Sequence, residues 1–170
     1  LARIAAKPPA KFPMGHIALP LAALLKAGAS PRNKAVRAAI EKLEGLPLEK
    51  TYCVACYLLA LDALRDSLAE SEADATQEAV GGAAAARARA RVAEADGSAG
   101  GSRAIHKRME KLAAWLVDAQ IRGHGSWTYE KPKGGTRHDF SNTQFAVLGL
   151  EVALKRSIAV PPEALLRIVQ

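Results

Sequence analysis

The sequence has few aromatic residues and almost no cysteine. Phe, Tyr and Trp make up 5% of the 170 residues, and the two cysteines are Cys53 and Cys56. Two cysteines do not form the multi-disulfide framework of small secreted domains. No apolar run reaches the roughly 20 residues that a membrane-spanning helix requires. The sequence therefore predicts neither a disulfide-stabilised domain nor a membrane span.

Alanine and leucine carry most of the apolar content, which is 49% of the sequence. This composition, with few β-branched runs, favours packed helices over β-sheet. A chain of this length can bury a hydrophobic core as one domain. It begins at Leu1 without a signal-peptide pattern, so we expect a processed, trimmed or partial chain. We predict an all-α fold.

The chain has a net charge of +7, from 24 Lys and Arg against 17 Asp and Glu. Such an excess can attract nucleic acid, anionic membranes or acidic partners. The densest basic segment, RARAR at 87–91, has no aromatic residue nearby on which bases could stack. A solvated basic surface is the simpler interpretation, and nucleic-acid binding is the less favoured one.

Prolines, glycines and apolar spacing divide the chain into segments. Residues 1–14 carry three prolines and predict an irregular lead-in. Residues 15–170 predict helical hairpins, with a partly flexible insertion at about 69–102, where Ala, Glu and Arg dominate and glycines cluster. Ser30 is the predicted cap of a helix with Pro31 at its first position. The almost wholly apolar segment at 51–68 predicts a buried helix.

Residues 138–145, HDFSNTQF, place polar side chains in front of an apolar run. With Ser141 as the N-cap, Gln144 falls at the third helical position, which gives a capping box. Phe140 and Phe145 then occupy the positions of a hydrophobic staple around the same cap. Both devices fit one register, so we interpret this cluster as the start of a helix rather than as a catalytic site.

The segment KLAAWLVDAQIRGHGSW at 111–127 resembles the QW repeat of the terpenoid cyclase and protein prenyltransferase family of α/α toroids. SNTQFAVLGLEVAL at 141–154 resembles the helix that follows such a repeat in bacterial prenyltransferase and squalene-oxidase repeat proteins. The similarity covers residues 15–68 and 103–170. The residues that match the repeat are Lys111, Trp115, Leu116, Gln120, Gly125 and Trp127.

The resemblance implies a ring of twelve helices in two concentric layers, of which this chain would supply about half. It also implies that Gln120 and Trp127 tie one helical hairpin to the next, with Gly125 permitting the sharp loop. A half ring leaves its apolar inner faces open, and repeat arrays need neighbours to cover such faces. We expect the remainder of a longer chain, or a second copy of this one, to complete the toroid.

The catalytic signatures of this family do not occur in the sequence. The cyclases use a D-x-D-D acid motif, and neither this motif nor D-D-x-x-D is found. Aromatic residues are also few for a cavity that must stabilise carbocations. The resemblance therefore implies a non-catalytic scaffold or binding module without a cofactor, and an apolar isoprenoid or lipid as its ligand. The alternative is a portion of a terpenoid cyclase or prenyltransferase-like enzyme acting on an isoprenoid, with its catalytic acids outside this chain.

Cys53 and Cys56 are candidate metal ligands, because residues three apart face the same side of a helix. The remaining ligands would come from the four histidines. The alternative is that both are small buried hydrophobes, which is more common for cysteines in an apolar segment. The histidines are His16, His106, His124 and His138.

The loop before Phe140 is a candidate anion site. Its cations precede the N-terminus of a predicted helix, and together they could hold a phosphate or diphosphate. The alternative is an ordinary basic surface loop. The candidate residues are Lys131, Lys133, Arg137, His138 and Asp139.

Overall fold

A computed structural model describes residues 1–9, 11–78, 98–134 and 137–169. No strand occurs in these ranges, where a single β-bridge joins Ile121 to Ser126. The predicted all-α class is therefore confirmed. No helix in the described ranges has the length and apolar character needed to cross a membrane. The helices are α1 (Ala2–Ala6), α2 (Pro13–Lys26), α3 (Lys34–Glu44), α4 (Thr51–Glu78), α5 (Ser98–Asp118), α6 (Phe140–Lys155) and α7 (Pro162–Leu166), and a 3₁₀ turn follows at Arg167–Val169.

Helix α4 is the centre of the fold. Between Thr51 and Leu64 every side chain except those of Tyr52 and Leu59 is buried. The helix packs most extensively against α2, and it also packs against α6 and α5. Because it has neighbours on three sides, this part of the sequence is apolar nearly all round.

Helices α2, α4 and α6 run parallel, with their N-termini at the same end. Gly15, near the start of α2, lies so close to the Tyr52 ring that a Cβ on it would stand 2.3 Å from a ring carbon. Asn142, near the start of α6, accepts a hydrogen bond from the Tyr52 N–H. At the other end, Arg156 follows the last turn of α6 and donates to Asp62 of α4.

Helix α5 runs in the opposite direction. His106, in the first half of α5, lies 3.2 Å from the guanidinium of Arg65, midway along α4. Leu116, near its end, and Ala55, near the start of α4, both lie against Gly149. Alternate helices are therefore parallel, and the helix that connects α4 to α6 returns antiparallel to them.

One side of the α2–α4–α6 layer carries apolar side chains that stay partly exposed. Tyr52 and Phe145 meet there edge to face, with ring centroids 4.8 Å apart. Leu59 lies seven residues after Tyr52, and Leu148 lies three after Phe145, so helical spacing places each leucine on the same side of its helix as the aromatic ring. Leu19 lies on the neighbouring part of α2. Leu19 and Leu148 are 38% and 39% exposed. We call these five residues the open face.

The structure corrects three boundaries near the N-terminus. Residues 1–14 are not all irregular, because α1 occupies Ala2–Ala6 and α2 begins at Pro13. Asn33 caps α3 by accepting the N–H of Ala35 at 2.8 Å, whereas Ser30 accepts the N–H of Arg32 in the preceding turn. Pro20 lies in the interior of α2, where the buried flank of the helix packs on α4. Tertiary packing there outweighs the local cost of proline.

The insertion predicted at about 69–102 is helical at both edges. Helix α4 continues to Glu78 and α5 begins at Ser98. Residues 79–97, which include the RARAR segment, lie outside the described ranges.

Candidate functional site

The loop between α5 and α6 is organised around Gln120, whose side chain is buried. Its Nε2 donates to the carbonyls of Gly125 and Ala164, each at 3.0 Å. Its Oε1 accepts a hydrogen bond from Nε of Arg167 at 2.9 Å. Gln120 therefore joins the end of α5, the loop and α7 through hydrogen bonds to backbone carbonyls.

Trp127 fixes the other half of the same loop. Its indole is fully buried, and Nε1 donates to the carbonyl of Leu116 at 2.7 Å. Its backbone N–H donates to the Thr143 hydroxyl at 3.0 Å, and its carbonyl accepts the N–H of Asp139 at 2.8 Å. The indole of Trp127 thus anchors the loop to α5, and the backbone of Trp127 anchors the loop to the start of α6.

Gly125 occupies a position that only glycine fits. Its φ is +63°, and a Cβ would stand 1.7 Å from the carbonyl oxygen of Arg167. The predicted need for glycine thus has two causes, the left-handed backbone and the close approach of a second segment. Of the other motif residues, Lys111 is exposed and Trp115 is partly buried, with Nζ of Lys131 5.5 Å from the Trp115 ring centroid.

Helix α6 is capped by Asp139, so the prediction of Ser141 as the cap is wrong. The Asp139 carboxylate accepts the N–H of Asn142 at 2.8 Å and the Ser141 hydroxyl at 2.6 Å. The hydrogen bond from Ser141, followed by those from Asn142, holds the pKa of Asp139 below its usual value. The bond from the Asp139 N–H to Trp127 keeps Asp139 extended, which is the backbone conformation of a cap.

The predicted capping box and staple are consequently absent. With the cap at Asp139, Phe140 is the first helical residue and Gln144 the fifth, so Gln144 cannot reach back to the cap. Phe140 is 81% exposed, and its ring packs edge to face on His138 at 5.2 Å. Phe145 packs instead on Tyr52 of α4.

Asn142 joins the first turns of α4 and α6. Its Oδ1 accepts the N–H of Tyr52 at 3.2 Å, and its Nδ2 donates to the Asp139 carboxylate at 2.9 Å. Thr51 extends this joint, because its N–H and hydroxyl donate to the carbonyls of Tyr129 and Thr128 at 2.9 and 2.6 Å. Helix-end hydrogen bonding therefore explains Ser141, Asn142 and Thr143, whereas Gln144 is exposed.

Two of the five predicted anion-site residues, Lys131 and Asp139, are engaged with other groups of the protein. Lys131 pairs with Asp118, and this hydrogen bond and charge hold the pKa of the Asp118 carboxyl low. Lys133 and Arg137 are exposed. The N-terminal position of α6, where an anion was expected, is taken by the Asp139 carboxylate itself.

Cys53 and Cys56 are both buried inside the fold. Burial raises the pKa of both thiols, that of Cys56 to about 12, and it also raises the pKa of the adjacent Tyr52 to about 12. Within the described ranges, no group of three or more His, Cys, Asp or Glu side chains is placed to hold a metal ion. Both cysteines occupy core positions, where they pack as small buried apolar residues.

An ion cluster that the sequence did not predict joins the C-terminal end of α6 to α4. Nε of Arg156 donates to the buried carboxylate of Asp62 at 2.5 Å, and its terminal nitrogen donates to Asp66. Lys155 lies 3.5 Å from Asp62. Burial raises the pKa of Asp66, but its hydrogen bond to Arg156 and the nearby cations outweigh this and lower it. An aspartate in an apolar helix was the available signal, since a buried charge needs a partner.

A groove of about 420 Å³ lies between the last turns of α5 and the segment that contains α7. Asp118 and Glu163 line it together with Arg122 and Arg167. Its charges are mixed, and Arg167 is bonded to Gln120, so the groove belongs to the loop framework described above.

No protein-family model matches the chain, and neither a curated protein nor a solved structure is significantly similar to it.

Proposed function

We propose that this chain is a non-catalytic α/α-toroid module that acts as a scaffold or binding domain. The observation that carries the proposal is the parallel course of α2, α4 and α6, with α5 returning antiparallel between α4 and α6. A ring of helical hairpins has this order, because each inner helix is connected to the next by an outer helix that runs back.

The contacts of Gln120 and Trp127 support the same proposal. A QW repeat ties successive hairpins, and here Gln120 donates hydrogen bonds to the carbonyl of Gly125 in the loop and to the carbonyl of Ala164 in α7. Trp127 bonds to the preceding helix through Leu116. Gln120 thus contacts a later part of the chain and Trp127 an earlier one, as residues that connect two hairpins must.

The open face indicates what would complete the module. Its leucines and aromatic rings form the exposed side of the α2–α4–α6 layer, and a closed toroid would cover this side with further helices or with a ligand in its lumen. We propose that the remainder of a longer chain or a second copy of this one closes the ring. An apolar isoprenoid or lipid is the ligand that such a lumen would take.

The test compares Leu148→Glu with Leu154→Glu. Leu154 is 46% exposed on another side of the same helix, so it is a matched control. Native mass spectrometry should find a dimer, or a complex with farnesol as the isoprenoid probe, and Leu148→Glu should abolish it while Leu154→Glu should not. A monomer that binds no farnesol, or equal behaviour of the two variants, would count against the proposal.

One observation favours the alternative function, a portion of a terpenoid cyclase or prenyltransferase-like enzyme with its acids outside this chain. Phe12 stacks on Tyr129 and meets Tyr52 edge to face, and Tyr52 meets Phe145. Such rings could face a carbocation. Phe145→Leu should then weaken binding of a cationic isoprenoid amine more than binding of farnesol. An equal effect on both would leave the rings with a packing role only.

A further inference from the structure

Two histidine rings lie side by side near the two ends of the loop between α5 and α6. The ring centroids of His124 and His138 are 6.2 Å apart, with an angle of 44° between the ring planes. Both side chains are exposed, so a solute can reach both rings. A ligating imidazole nitrogen lies about 2.0–2.1 Å from Zn²⁺, which places two rings on one ion with their centroids about 5–6 Å apart. The observed separation exceeds this range only slightly, and rotation about a side-chain bond of an exposed ring would remove the difference.

Hydrogen bonds fix the backbone beneath each ring. The N–H of His124 donates to the carbonyl of Ile121 at 3.2 Å. His138 is followed by Asp139, whose N–H donates to the carbonyl of Trp127 at 2.8 Å. The contacts that order the loop therefore also hold the two imidazoles near each other. Ligands that are already close lose little conformational freedom when they bind.

The chemistry of the pair selects the class of metal. Imidazole nitrogens suit zinc, copper and nickel, whereas magnesium and calcium prefer oxygen ligands. Arg122 and Arg137 are close to the histidines in sequence, and their charges oppose a bound cation. The Asp139 carboxylate, which caps α6 directly after His138, offsets part of this positive charge. We therefore expect the pair to retain only a metal that binds imidazole strongly.

We propose that His124 and His138 chelate a divalent transition-metal ion of the zinc, nickel and copper class, with water in the remaining coordination positions. The site differs from the cysteine site that the sequence suggested, because both thiols lie in the core. It also does not depend on closure of a toroid. The ion would join the two ends of the loop between α5 and α6, so it would act as a clip that closes this loop rather than as a catalytic centre.

The test is calorimetric titration of the full chain, without an affinity tag, with Zn²⁺. His124→Ala and His138→Ala should each weaken binding at least about tenfold, because even the loss of a group that only supports a ligand costs about 10–100-fold in metal affinity. His16→Ala is the matched control, since His16 is exposed on α2, and its affinity should stay within about twofold of wild type. Mg²⁺ in place of Zn²⁺ should give no binding at these residues.

A second measurement locates the ion directly. Paramagnetic Ni²⁺ should broaden the imidazole NMR resonances of His124 and His138 and should leave those of His16 and His106 sharp. Acid should release the metal, because imidazole binds a metal only in its neutral form.

Three outcomes would overturn the inference. The first is no binding of Zn²⁺ by the wild-type chain. The second is a loss in only one of the two histidine variants, or an equal loss in His16→Ala, which would indicate adventitious binding to single exposed imidazoles. The third is binding that persists when both His124 and His138 are replaced and that Cys53→Ala abolishes, which would assign the metal to the cysteines.

Discussion

The side chain of Asn142 in α6 accepts a hydrogen bond from the backbone N–H of Tyr52 in α4, at 3.2 Å across 90 residues of sequence. The same side chain donates to the cap residue Asp139. One buried carboxamide therefore accepts an N–H at the start of α4 and donates to the residue that caps α6.

Asn142→Ala should lower the free energy of unfolding by about 1–3 kcal/mol, because it leaves the partly buried Tyr52 N–H without its acceptor. Gln144→Ala, at an exposed position of the same helix, should change it by less than about 0.5 kcal/mol. Urea denaturation of both variants measures the difference. Equal effects would show that Asn142 is not a joint.

Asp139 should cap α6 in a pH-dependent manner. Its folded-state pKa is depressed, so its charged form stabilises the fold above the unfolded pKa of about 3.9, and this stability is lost as pH falls through the folded pKa. Asp139→Asn keeps a capping oxygen without a charge. Wild type should therefore be more stable than Asp139→Asn at pH 7, and the difference should vanish in strong acid, as thermal melting across pH would measure.

Asp139→Ala should cost about 1 kcal/mol, the usual value for an N-cap, and Ser141→Ala should cost less. Ser141 bonds only to the cap and not to a helix N–H in the described contacts. The reverse order in chemical denaturation would restore Ser141 as the cap.

Gly125→Ala should destabilise the fold by more than about 1 kcal/mol, because the left-handed backbone and the Arg167 carbonyl both exclude a Cβ. Gly123→Ala provides the control, since a Cβ on Gly123 would meet no atom within 4 Å. Its effect should lie within about 0.5 kcal/mol of wild type. Similar melting temperatures for the two variants would contradict the close approach of Arg167.

Arg156→Met should destabilise the fold by about 3–5 kcal/mol, because it removes the main partner of the buried Asp62. Lys155→Met should cost less than about 1 kcal/mol, since Lys155 is the more exposed partner. Because the folded-state pKa of Asp66 is depressed, the stability that this cluster contributes is present above about pH 4 and declines as acid protonates Asp66. Acid titration monitored by circular dichroism would check this sign.

Local sequence chemistry predicted the helical class and the buried character of α4, and the resemblance to the QW repeat implied the need for glycine at position 125. Local chemistry failed where several capping residues stand close together, as at Ser30 and Asn33 or at Asp139 and Ser141. Each of these side chains can accept a helix N–H, so distant contacts decide among them. For α6 the deciding contact is the bond between Asp139 and the Trp127 carbonyl.

The ion cluster and the Asn142 joint were beyond sequence reasoning for a related reason. Asp62 and Arg156 are 94 residues apart, and their pairing depends on α4 and α6 being parallel neighbours. Periodicity within one helix identifies a buried side but does not identify its partner. The spacing of Lys131, Lys133 and Arg137 likewise indicated a basic loop, but it did not show that the Asp139 carboxylate caps α6.

The parallel course of α2, α4 and α6 also makes the molecule electrically asymmetric. Peptide dipoles place roughly +0.5 elementary charge at a helix N-terminus, and here three such ends share one side, while the two connecting helices α3 and α5 offset part of the sum. An antiparallel bundle would cancel this field. The side with Phe140 is therefore positive before any side chain is counted, so a negatively charged surface would attract the chain end-on, with the helix axes steep to that surface.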